Sequence, residues 1–313
     1  MMKTSKVTLA TWVSLIVCSQ AFCSHSWAAD IGSSFNEVRD VIKNPYPSGQ
    51  LPQYQVTVSR FVKNGVNLIQ EAAVKTVNDR VDYYPRLDKL IHSNGICFTG
   101  EWRITEANPY SGYFKAGSRA PMIARISTAT SNTLAGEKRG FGFAGKLFPT
   151  SDLDQKVETA NFFTVDVLTG TVKSHFQDTA LTNEPPLGFN LSLVNMLIHL
   201  SKALSAADHS PMFRPLYEIS EAGRMHGEAE RTPHWIQIRP SSKNRKIDET
   251  DFRNELDIAK NHPEGLVMEI LVSDTTKDPE ADAWSKIGVI HLAESFVSYG
   301  CDRQLHFHHP KVK

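Results

Sequence analysis

His92 stands inside the apolar run of "RLDKLIHSNGICFTGEW", just before the chain breaks at Gly95 and resumes as a strand-like segment. An imidazole titrates near neutrality, so at the mouth of a strand it can take a proton from one atom and return it to another. A lone histidine on an apolar run is also compatible with a core residue satisfied by a backbone carbonyl. A second set of imidazoles, His306, His308 and His309 in "HFHHP", has the residue types of a metal site, although such a string is more often a solvated tail. Of the four cysteines, Cys97 and Cys301 lie outside the first thirty residues. They are either a disulfide that closes a long loop, worth roughly 5 kcal/mol in the chain-entropy model, or two buried thiols acting as small hydrophobes.

The elements that must position these residues follow from hydrophobic period and punctuation. From Gly95 the chain reads as short β-type runs, "GICFTGEWRI", "APMIARISTA", "RGFGFAGKLFP" and "TANFFTVDVLT", separated by Gly, Pro, Asn and Ser. Residues 187–227 return to helical spacing. Strands are expected again at "HWIQIRPS", "GLVMEILVSD" and "WSKIGVIHLAE", with a helix at "DETDFRNELDIAKNHP" between the first two. This order predicts an α+β chain built on one antiparallel β-barrel with a helical insertion near 187–227.

Before the barrel, residues 30–53 are polar and rich in turn formers and read as an extended arm. A helical stretch follows over "VSRFVKNGVNLIQEAAVKTVNDR", so 30–85 is an arm and helix and 86–313 the barrel domain. Residues 1–29 have a short basic start, an apolar stretch and small residues at Ser26 and Ala28, the pattern of a secretory signal peptide. The apolar stretch is shorter than a bilayer span and no stop-transfer pattern follows it, which predicts an exported protein, periplasmic or secreted, with no stable membrane anchor. Lys plus Arg and Asp plus Glu are equal at 34 each, so net charge offers no attraction for nucleic acid.

The motif order resembles the haem catalase family over about residues 86–309. "KLIHSNG" is similar to that family's strand-opening histidine segment. "ARIST" is similar to its Arg-Phe-Ser-Thr strand, "RGFGF" to its Arg-Gly-Phe-Ala turn and "NFF" to its Phe-Phe strand. The resemblance implies a barrel of the catalase type, haem as cofactor, and hydrogen peroxide or an organic hydroperoxide as substrate. It implies His92 as the distal acid/base and Ser127 as the group that holds its second ring nitrogen. Lys89, where the family commonly has arginine, and Arg125 would meet the haem propionates. Phe141, Phe162 and Phe163 would wall the pocket, with Thr128 and Arg139 in the same motifs.

Besides Lys89, the pattern is broken in two further places. The family's distal asparagine falls on Val157, flanked by Glu158, with Asn161 four residues further on. No tyrosine stands in the Arg-x-Phe-x-Tyr context that supplies the family's proximal iron ligand, so the metal ligand is unknown. The leading expectation is therefore an exported haem-dependent catalase- or peroxidase-like oxidoreductase. The alternative is a catalase-fold protein that binds haem or an apolar ligand without turnover. Catalases are commonly tetrameric, which leaves an oligomer open here.

Overall fold

A computed structural model describes residues 34–47, 92, 94–128, 133–134, 140–151, 153, 159–165, 216–218, 231–245, 247, 249–275, 281–305 and 307. The expected signal peptide, the helix after the arm, Lys89, Arg139, Val157, Glu158 and the three late histidines lie outside these residues, as does most of the expected helical insertion.

Among the described residues eight antiparallel strands follow one another round a closed barrel. They are β1 (Gly95–Ile104), β2 (Arg119–Thr128), β3 (Phe141–Leu147), β4 (Ala160–Val165), β5 (Leu216–Glu218), β6 (Trp235–Pro240), β7 (Leu266–Ser273) and β8 (Ser285–Phe296). Strand β1 closes the ring by pairing with both β2 and β8. Every strand expected from the sequence is present. The short β5 corrects one expectation: it lies within the stretch predicted as a helical insertion. A three-residue strand is too short to show an alternating pattern, and "FRPLYEIS" carries apolar residues at spacings a helix also uses.

Side-chain alternation divides the barrel wall into two faces. Ile96, Phe98, Trp102 and Ile104 of β1 point into the barrel with Met122, Ala124 and Ile126 of β2, and they join Phe143, Phe162, Ile238, Met268 and Ile290 in one buried core. Trp102 lies at the centre, its ring 5.6 Å from those of both Phe114 and Phe162, with its indole N–H donating to the Tyr113 carbonyl at 2.8 Å. Gly145 makes room for this packing, because a Cβ there would fall 2.2 Å from the Phe162 ring.

The opposite parity, Cys97 and Ile123, faces outward into a second cluster. Covering that outer face are helix α1 (Phe35–Ile42) and a π-helical turn, Gly300–Gln304. Val38 and Ile42 of α1 pack with Cys301, Leu305 and Phe148 over Cys97 and Ile123. Helix α1 corrects the reading of an extended arm. Its start carries a reciprocal capping box, with Ser34 accepting from the Glu37 N–H and the Glu37 carboxylate accepting from the Ser34 N–H. The turn docks on α1 closely enough that a Cβ at Gly300 would lie 1.7 Å from the Val41 carbonyl oxygen.

A second helix, α2 (Phe252–Lys260), lies between β6 and β7 as expected and sends Phe252 and Leu256 into the barrel core. Cys97 and Cys301 form a disulfide with a Cα–Cα distance of 5.7 Å across a separation of 204 residues, which settles the two readings of these cysteines. Among the described residues no helix is long and apolar enough to cross a membrane.

Candidate functional site

The outer face of β1 and β2 brings together the polar residues that the motifs single out. Ser127 is buried near the end of β2, in register with Gly95 at the start of β1. Three residues before Gly95 the chain turns through His92, whose φ of 56° is in the left-handed region that L-residues seldom enter. That turn places the imidazole Nδ1 3.1 Å from the Ser127 Oγ. A hydroxyl both donates and accepts, so Ser127 can serve either tautomer of the ring and fix its orientation.

Two residues back on the same face is Arg125, 4% exposed, in register with the disulfide's Cys97. Its Nη2 donates to the Asp302 Oδ1 at 2.9 Å. Asp302 has no exposed surface and accepts two further hydrogen bonds, from the Gly95 N–H at 2.9 Å and from the Tyr46 hydroxyl at 2.5 Å. Burial pulls the Arg125 guanidinium below the ordinary arginine range, and the Asp302 carboxylate opposes that pull. Tyr46 is held well above the ordinary tyrosine range, first by burial and then by the Asp302 charge and hydrogen bond, so it remains a neutral donor.

The sequence does not single out Asp302 or Tyr46. No pattern around either announces a partner, and only the position of Asp302 next to Cys301 offers a signal, usable once the disulfide is known.

The aromatic candidates divide differently. Phe141 and Phe162 are buried on the inner face, Phe141 against Phe252 at 5.3 Å and Phe162 stacked on Phe143 at 5.8 Å. Both therefore belong to the barrel core, on the other side of the wall from Ser127 and Arg125. The four residues therefore stand on two faces of the wall. The cause is strand parity, which a short Phe-containing motif does not reveal. Phe163 occupies the register position opposite Ala144, itself opposite Arg125. Asn161 is opposite Lys146, and among the described residues its buried side-chain oxygen has no hydrogen-bond partner.

These positions test whether the described residues fit haem. The His92–Ser127 pair suits the side on which a peroxide would be handled. The propionate side does not fit: Arg125 already holds an internal carboxylate, and two of the expected wall residues are in the barrel core. Among the described residues no group of three or more His, Cys, Asp and Glu gathers where a metal ion could be held.

No protein-family model matches the chain, and no curated protein matches it. Among solved structures, a bacterial catalase is similar with a TM-score of 0.40 and 14% sequence identity, over 90% of this chain and 62% of the catalase. The chain thus spans less than two thirds of the length of that structure.

Proposed function

We propose that this chain is an exported, catalase-like barrel protein directed at hydrogen peroxide or organic hydroperoxides, with His92 as its acid/base. The observation that supports this reading is the 3.1 Å contact between His92 Nδ1 and Ser127 Oγ. The motif order pairs these two residues, and the fold independently joins them across a separation of 35 residues.

In this role His92 accepts the proton of a bound hydroperoxide and returns it to the departing oxygen. Ser127 engages Nδ1 and so fixes the orientation of the ring. Ser127 is a positioning residue and His92 the catalytic one. Cleavage of an O–O bond also needs an electron source, which the resemblance assigns to haem. Because the described residues fit haem on the His92 side alone, no step is derived through it.

A second reading, ligand binding without turnover, is favoured by one specific observation. The Arg125 guanidinium, which the resemblance assigns to a haem propionate, is engaged by Asp302.

The test is an absorption titration of the mature protein with haemin, followed by peroxide assays. The enzyme reading expects a saturable one-to-one shift of the Soret band and peroxide consumption that His92→Ala abolishes. Ser127→Ala should lower kcat with a smaller change in KM, since it orients the base without holding substrate. Haemin binding with equal turnover in wild type and His92→Ala removes the proposed role of His92. Binding with no turnover in either supports the second reading.

A further inference from the structure

We infer that the Asp302 carboxylate is a built-in occupant of a carboxylate seat on the outer face of the barrel, so that the Gly300–Gln304 turn acts as an autoinhibitory plug. Three donors converge on that carboxylate: the Gly95 N–H at 2.9 Å, Arg125 Nη2 at 2.9 Å and the Tyr46 hydroxyl at 2.5 Å. They come from β1, from β2 and from the segment after α1, and none from the turn. The seat is therefore assembled by elements other than the one that fills it.

Two details mark it as a site for a carboxylate in general. Among the described residues Arg125 Nε is buried with no hydrogen-bond partner, so Asp302 uses only part of a guanidinium fork that can grip a carboxylate with two parallel bonds. Gly95 leaves the space this fork occupies, since a Cβ there would lie 2.9 Å from the Arg125 Cζ. The neighbouring Cys301 is tied to Cys97, the register partner of Arg125, and this tether keeps Asp302 at high effective concentration over the seat. A carboxylate-bearing ligand reaches Arg125 only by displacing Asp302. The seat is next to the His92–Ser127 pair, because Gly95 is the register partner of Ser127.

Replacing Asp302 by glycine in the full, disulfide-bonded chain removes the plug and keeps the three donors. The melting temperature of Asp302→Gly is measured against sodium formate, with sodium chloride at matched ionic strength as control. The expected result is a saturable, formate-specific rise in the variant, no such rise in the wild type, and its loss in Asp302→Gly/Arg125→Met. Absence of a formate-specific rise in the single variant overturns the inference, as does an equal rise in the double variant or in the wild type. Should Asp302→Gly fold only from denaturant, the refolding yield in formate against chloride reads the same property with the same outcomes. Haemin plays no part in this readout, so the inference and the peroxide reading fail or stand separately.

Discussion

At the scale of single residues, Gly145 in the barrel wall shows how side-chain size at one position controls what its neighbours can do. Gly145 lies beneath the Phe162 ring, and a methyl group placed there would overlap two ring atoms at 2.2 and 2.3 Å. Gly145→Ala should therefore destabilise the fold by about 1–3 kcal/mol, the usual cost of overpacking a filled core. Denaturant melts of Gly145→Ala, Phe162→Leu and the double variant check this. If the overlap is the cause, the double variant loses less than the sum of the single losses. The Arg125–Asp302 pair belongs to the same scale. Removing one partner of a buried ion pair commonly costs about 3–5 kcal/mol, because the other charge is left without compensation. That cost explains why Arg125 does not stand open in this fold.

At the scale of elements, the helix ends and the docked C-terminal turn carry specific local chemistry. Helix α2 begins at Asp251, which accepts from the Arg253 N–H at 2.9 Å and pairs with the Arg253 guanidinium, Oδ2 to Nη2, at 2.6 Å. Burial alone would raise the Asp251 carboxyl, but hydrogen bonds and charge from Arg253 outweigh it and hold the group below the ordinary aspartate range. A folded-state pKa that is depressed contributes stability above the unfolded value of about 3.9, and that contribution fades as pH falls through the folded value. Asp251→Asn keeps a capping oxygen and removes the charge. Its stability deficit against wild type should be full at about pH 6 and shrink as pH falls below about 4. Urea melts across that range measure it, and a deficit that does not change with pH would show that the pair contributes nothing through ionisation.

At the scale of the whole molecule, the barrel and its outer cover are joined by one covalent bond. The Cys97–Cys301 disulfide closes a loop of 204 positions and lies between the strand that closes the barrel and the turn that covers it. Cys97→Ala/Cys301→Ala should lower stability by about 2–5 kcal/mol, read as a shift of the denaturant midpoint. Both sulfurs are fully buried, so dithiothreitol should reach them only through opening of the turn. Thiol labelling after reduction should therefore be slow under native conditions and fast in denaturant. Rapid labelling of native protein would mean that the turn does not hold its closed position.

Much of this architecture is legible in the sequence, because strand period and turn residues are local properties. "APMIARISTA", "RGFGFAGKLFP" and "GLVMEILVSD" announce strands by composition and punctuation, and α2 is announced by the helical spacing of "DETDFRNELDIAKNHP". The capping box at Ser34 and Glu37 is equally local, but the prolines that follow it give the segment the character of an extended arm. The pairing of His92 with Ser127 was legible only through motif order, since a contact across 35 residues has no local signature.

By itself, then, the amino-acid sequence determined which segments are strands and which polar residues are available for chemistry. The tertiary structure decided the rest. Closing the barrel set the parity that puts Phe141 and Phe162 in the core and Arg125 and Ser127 outside it. Docking of the C-terminal turn decided that the carboxylate on Arg125 is the chain's own. The physical reason is that inward or outward direction, and the partner of a buried charge, depend on residues far apart in the chain. Only the folded backbone brings them within a few ångströms of each other.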